Sequence, residues 1–347
     1  MLEYNLLRVA VKIDNSNKKG RLCIVAPYDK NVIGDIARIY GNILTEYKFD
    51  CIYVNSKPFF KIKMLKDLLI NKKNYDFIHV HTSGLLDDIP LIWTYIISKL
   101  LKKRYIITYH CGSPDRILKV TSSFINIFFN SADLVTVPSN YSREIILKYN
   151  LKISNKLIVL PNLLDESKFK SKKIEKDCYM VITVSSINKW YIYRKGLKLF
   201  VEAAKYLPEY KFYIIGKYDK SIEILKKISP ENVHFTGYVS EEQLIQFYNS
   251  AAVYCQLSVS ESFGYALAEA MLCGCIPVVT KNASLPEVVD DSGYYVDELT
   301  PKNIAEKIKC SAGSDKSDLA IKRILNHFSV QKKKGDINKI FTQLCRR

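Results

Sequence analysis

Short apolar runs alternate with longer stretches of helical period along most of this chain, the pattern of parallel sheets assembled from strand-helix-strand units. Residues 21–27 read as a first strand, followed by a loop to Gly34 and a helix through Tyr47. Residues 77–80 and 105–109 read as short buried strands with the apolar helix 89–101 between them, and 134–137 and 157–160 complete a first sheet. The charged stretch 165–177, with Lys168, Lys170, Lys172 and Lys173, reads as a flexible linker. Beyond it the pattern repeats: 179–184, 212–215, 233–235, 253–256 and 277–280 read as strands of a second sheet, and 328–344 as a closing helix. Residues 6–13 alternate as a strand would, but they precede the first strand of this scheme.

At 347 residues the chain exceeds the size at which one core normally suffices, which predicts two domains. The expected division is an N-terminal Rossmann-like domain over 1–170, a second over 171–327, and a terminal helix over 328–347 that crosses back to the first. The longest apolar stretch, 89–101, is broken by Lys99 and is too short to span a bilayer. The opening residues also lack the basic-then-apolar order of a signal peptide, so a soluble, cytoplasmic protein is expected. Nine cysteines form no framework, and Cys273 and Cys275 stand too close together for a zinc knuckle, so neither disulfides nor structural zinc are expected.

The net charge is +17, with 26 basic and 15 acidic groups up to residue 170 and 26 and 20 beyond it. Such an excess suits an anionic partner, and it suits a generally lysine-rich composition equally well. Residues 57–73 mix lysines with large apolar groups at helical spacing. They read either as a helix lying on an anionic bilayer or as a core-packed helix with a lysine-rich outer face. Because the basic residues are dispersed and no RNA or DNA module is present, nucleic acid is not an expected partner.

The chemistry concentrates at Glu261 and Glu269, with seven residues between them. Ser262 and Gly264 mark a helix start, and Gly274 marks a left-handed cap at its end. Glu261 then lies in a loop. Glu269 lies inside the helix on the face of Tyr265, one turn above the free N–H groups of the first turn. A helix start of this kind binds phosphate, and a carboxylate one turn on can accept hydrogen bonds from ribose hydroxyls. Lys195, before Gly196 at the start of an amphipathic helix over 197–207, places a cation where a leaving diphosphate gains negative charge, and Arg194 or Lys189 can add a second. His110 ends the strand 105–109 before Cys111-Gly112-Ser113, a turn that would present its ring to a ligand. His79 and His81 share a strand face, with no third ligand to complete a metal site.

In chain order, Asp76-Phe-Ile-His-Val-His81, Thr108-Tyr-His110, Val137-Pro-Ser139, Leu160-Pro-Asn162, Lys195-Gly196, Gly237-Tyr-Val-Ser240, the glutamate pair and Leu285-Pro-Glu287 resemble the retaining nucleotide-sugar glycosyltransferases of family 4. The resemblance implies the α/β GT-B fold, two facing Rossmann-like, doubly wound parallel-sheet domains with a cleft between them. It implies transfer of a hexosyl unit from a UDP- or GDP-sugar, with retention, to a glycan or glycolipid in cell-surface polysaccharide or lipopolysaccharide synthesis. It assigns catalysis to His110, Lys195 and Glu261. The donor falls to Gly34, Arg194, Lys195, Ser262, Phe263, Gly264, Tyr265 and Glu269, with no metal and no cofactor beyond the nucleotide-sugar co-substrate. A lipid-linked acceptor would bring the protein to the inner face of the cytoplasmic membrane as a peripheral protein. The chain departs from the family at Ser185-Ser186, where members commonly carry Gly-Arg, and near the first strand, where Gly34 stands in place of paired glycines. Two rival readings follow: a sugar-nucleotide epimerase of the same fold, and a nucleotide-sugar-binding subunit with little catalytic power.

Overall fold

The computed structural model describes residues 19–27, 32–56, 61–84, 89–172 and 174–346. The strand reading of 6–13, the loop before Val32 and the first residues of the 57–73 helix lie outside the described residues. The chain forms two compact units. One runs up to Leu163 and takes the chain again from Lys333; the other is Leu164–Lys332.

The first unit is built on β1 (Gly20–Ala26), β2 (Phe49–Asn55), β3 (Phe77–Thr82), β4 (Arg104–Tyr109), β5 (Leu134–Val137) and β6 (Leu157–Val159). They pair in parallel in the order β2-β1-β3-β4-β5-β6. All of β3 is buried, as parallel strands are when helices cover both sheet faces. On one face Met64, Leu68, Leu91, Ile97, Leu118 and Phe128, from the helices Lys61–Ile70, Ile89–Leu100 and Pro114–Ser131, share a core with Val25, Ile78 and Ile107. On the other, Tyr40 of the helix Val32–Glu46 and Phe341 of the helix Val330–Arg346 meet the histidines of β3.

The second unit contains β7 (Asp177–Val184), β8 (Lys211–Ile215), β9 (Val233–Gly237), β10 (Ala251–Gln256), β11 (Ile276–Thr280) and β12 (Tyr294–Val296), in the order β12-β11-β10-β7-β8-β9, again parallel. This is the dinucleotide-binding order, with its reversal between β7 and β10.

The edge strands β2 and β12 escape the periodicity analysis. Half-exposed edges and a three-residue length leave little apolar signal. The charged stretch after residue 164 is also not a free linker. Leu164 pairs with Ser329, its N–H reaching Phe328 O at 2.9 Å and its carbonyl accepting from Val330 N at 3.1 Å. Phe169 is buried against Tyr248, and Lys176 Nζ donates to the carbonyls of Tyr248, Asn249 and Ala251. The division therefore falls at Leu163/Leu164 rather than at 170, because the chain is already packed into the second unit by Leu164. At the other end Phe328 belongs to the second core, edge-on to Phe263 at 5.2 Å. From Lys333 the last helix belongs to the first unit: Lys334 pairs with Glu46, and Arg104 Nη1 donates to Leu344 O at 2.6 Å.

Candidate functional site

In an open parallel sheet the loops leaving the two strands that flank the reversal diverge and leave a crevice at their carboxyl ends. In the second unit those loops follow β7 and β10. After β7 the chain passes through Ser185–Asn188 into a short helix, Lys189–Arg194, that the sequence pattern had not marked. Asn188 caps it by accepting from Tyr191 N at 2.7 Å. Lys195 ends this helix and Gly196 starts the next, Leu197–Ala203. Gly196 has φ +64, and a Cβ there would stand 2.4 Å from Leu257 O. Only glycine lets these two loops approach so closely.

The loops are stitched together at that point. Val259 N donates to Arg194 O at 2.9 Å, and Arg194 Nη1 reaches Ser260 O at 3.4 Å. Lys195 Nζ forms an ion pair with Glu261 Oε2. Arg194 Nη1 lies 3.9 Å from Glu261 Oε1, and Gln256 Nε2 donates to Oε2 at 3.3 Å. Burial alone would raise the Glu261 carboxyl, but Lys195 and Arg194 outweigh it and hold the group below its ordinary value. The Glu261 carbonyl accepts from Ser284 Oγ at 3.0 Å, which fixes the loop from below. Sequence reasoning placed Lys195, Arg194 and Glu261 near a common ligand; the structure brings the three together.

Past Glu261, Gly264 adopts φ +90 and precedes the helix Tyr265–Leu272, which closes at Gly274, φ +87. Ser262 is buried in the turn. Phe263, expected at the donor, instead packs into the core against Phe328, because the tight turn at Gly264 drives its ring inward. Glu269 is buried one turn into the helix, and Tyr248 OH donates to its Oε2 at 2.9 Å. Burial pushes this carboxyl up to about 8, opposed by the Tyr248 hydroxyl and by Lys168, which itself pairs with Glu241 at 2.5 Å. Nothing in the sequence marked Tyr248: it reads as one more apolar position of the helix Glu241–Ser250. Of the other cations weighed after β7, Lys189 is exposed. At the position where family members commonly carry Gly-Arg, Ser185 Oγ is turned onto Ser186 O at 2.8 Å.

The remaining candidates belong to the first unit. His110 is buried, not presented by a turn: its backbone N–H donates to Thr82 O at 2.7 Å and its ring Nε2 lies 3.0 Å from His81 Nδ1, with the rings stacked at 5.3 Å. His79 Nε2 meets Thr108 Oγ1 at 2.7 Å, and Thr108 meets Thr136 Oγ1 at the same distance. These partners come from adjacent strands in register, so the two histidines of β3 serve a buried polar ladder. Burial depresses His110 to about 4 and His79 to about 3, so both rings are neutral. Gly34 lies inside the first turn of the helix Val32–Glu46, not in the loop before it, and lines a small apolar void with Ile24, Ala37 and Tyr53.

Comparison with known proteins agrees with this layout. The family description "Glycosyltransferase Family 4" matches residues 41–168, and "Glycosyl transferases group 1" matches 165–317. An uncharacterized 41.2 kDa protein in the cps region of Klebsiella pneumoniae is 28% identical over 241 residues, 66% of this chain and 66% of that protein. The O-antigen chain mannosyltransferase B of Escherichia coli is 44% identical over 66 residues, 19% of this chain and 17% of that protein. The alignments thus span less than two thirds of either relative. Among solved structures, Anabaena HepE in complex with UDP and glucose superposes with a TM-score of 0.75 at 16% identity, over 93% of this chain and all of that one. The two family matches run consecutively along the chain over two six-stranded parallel sheets of GT-B type, and the protein belongs to the glycosyl transferases of group 1.

Proposed function

We propose that this protein is a retaining hexosyltransferase that takes a sugar from a UDP- or GDP-sugar and delivers it to a glycan or glycolipid of a cell-surface polysaccharide. The observation that carries the reading is the cluster at the β7/β10 reversal, where Lys195 and Arg194 converge on Glu261 beside a helix start that has Glu269 one turn in. The N–H groups of that helix start suit a diphosphate. Glu269 is placed for the ribose hydroxyls. Lys195, released from Glu261 by a bound donor, meets the charge that grows on the departing diphosphate, so its contribution is larger in the transition state than in the ground state. Glu261 is then left to accept hydrogen bonds from hydroxyls of the sugar. Charge stabilisation then falls to Lys195, Arg194 and the N–H groups of the helix start, and the acceptor proton neutralises the leaving oxygen on the same face of the sugar. The names of the E. coli and Anabaena proteins support a glycan acceptor and a UDP-linked donor, respectively.

The experiment is incubation with isotopically labelled UDP- and GDP-hexoses, with and without envelope glycan acceptors, read by NMR at the anomeric carbon. Transfer with the donor's configuration kept supports the proposal. Inverted product refutes retention, and a changed donor without transfer identifies an epimerase.

A further inference from the structure

The first unit carries an outward face with an unusual composition. Every large hydrophobic side chain that is exposed among the described residues of this unit stands on one of three helices, Lys61–Ile70, Ile89–Leu100 and Pro114–Ser131. Ile62, Leu69 and Ile70 project from the first, Leu100 from the second, and Val120, Phe124 and Ile127 from the third, each between 40% and 84% exposed. The helices are neighbours, the second packing against both others, and all three bury their opposite sides in one core. Between the outer pair, the middle helix adds Trp93 and Tyr95, partly buried against the core. Val120, Phe124 and Ile127 follow one another at steps of four and three, so they form one stripe along their helix.

The fully exposed charges on this face are positive. Lys63, Lys66, Lys99, Arg116 and Lys119 are exposed. The acidic residues of the three helices are Asp67 and Asp115, both only half-exposed, and Asp115 is already paired with Lys148 at 3.1 Å. An ordinary solvent-facing helix layer of a soluble protein intersperses both signs and few large apolar groups. Exposed apolar side chains interspersed with exposed cations on one helix layer match the requirements of a lipid surface. The apolar groups enter the acyl boundary, the cations meet anionic headgroups, and Trp and Tyr sit between.

We propose that this three-helix face docks the protein on an anionic phospholipid bilayer. The inference does not rest on the donor site, and it enlarges the sequence reading of residues 57–73: the first helix supplies one edge of the surface, and the other two, which carried no such reading, supply the rest.

The test uses the full chain without nucleotide, floated with phosphatidylcholine vesicles that do or do not contain phosphatidylglycerol. The protein should float with the anionic vesicles, less so as salt is raised, because headgroup attraction is screened within a Debye length. Val120→Asn, Phe124→Asn and Ile127→Asn together should weaken vesicle affinity roughly 30- to 100-fold through lost apolar insertion. Lys63→Glu, Lys66→Glu and Lys119→Glu should cost roughly five-fold for each lysine removed. All six positions are exposed and outside the donor cluster, so an unchanged thermal midpoint and nucleotide affinity report intact folding. Wild-type protein that ignores anionic vesicles overturns the proposal, as does flotation indifferent to both variants. So does a wild-type dimer, seen by sedimentation, that dissociates in the asparagine variant while neither floats: the face would then be a protein interface.

Discussion

Lys195→Met gives the sharpest energetic test of the donor cluster, because it removes one partner of a nearly buried ion pair. Stranding a fully buried charge costs about 3–5 kcal/mol. Here the Lys195 and Glu261 side chains keep 18% and 10% exposure, and Arg194 and Gln256 remain against the carboxylate. The expected loss is therefore smaller, about 2–3 kcal/mol, or about 5–10 °C for a unit of this size. Glu261→Gln in the same chain removes the stranded charge and should return about half of that loss, giving a coupling energy above about 1 kcal/mol. The pH dependence fixes the sign. In the wild type Glu261 is held below its ordinary value, so its contribution is present above that value and fades as pH falls through the folded one. Without Lys195, burial dominates and the carboxyl moves up, so the variant should be closest to wild type in mild acid and furthest from it near neutrality. Thermal unfolding of the nucleotide-free proteins, followed by circular dichroism at several pH values, supplies all of these quantities. A single variant that melts with the wild type, or a double variant no more stable than the single, would refute the reasoning.

Tyr248→Phe removes the hydroxyl that opposes the burial of Glu269. If nucleotide binding needs the ionised carboxylate, wild-type affinity rises with pH through about 8, and the variant moves that transition higher, with about ten-fold weaker binding near neutrality. Calorimetric titrations with UDP and GDP across this range check it; coincident profiles would leave Tyr248 as packing. The histidine ladder of β3 and β4 makes the first unit acid-labile. The unfolded chain takes up protons below about pH 6.5, whereas folded His110 and His79 resist until about 4 and about 3, so stability is full above 6.5 and lost as pH falls toward 4. His79→Gln should shrink the difference in unfolding free energy between neutrality and about pH 5, read from urea titrations, by about 2 kcal/mol.

The sheets were legible wherever both faces of a strand are covered, since β3, β5, β10 and β11 are buried at every residue and read as short, mostly apolar runs. Edge strands were not, because β2 is only partly buried along most of its length and β12 has three residues. In the site, charged residues beside glycines could be read directly: Gly196 and Gly264 hold left-handed backbone that marks where Lys195 and the helix start must be. Residues acting through a buried partner could not. Tyr248 looks apolar in sequence, and the engagement of His110 by His81 depends on strand register, which periodicity does not encode. Phe263 was misread because its neighbours in sequence line the site while its ring turns into the core.

The central claim is that the loops at the β7/β10 reversal hold a nucleotide-sugar. A crystal of this protein soaked with UDP- and GDP-sugars tests it most directly. Density is expected for a nucleoside diphosphate with its phosphates at Lys195 and the first turn of Tyr265–Leu272, its ribose on Glu269, and Lys195 moved off Glu261. Nucleotide bound elsewhere, or bound here with the Lys195–Glu261 pair intact and Glu269 untouched, would contradict it.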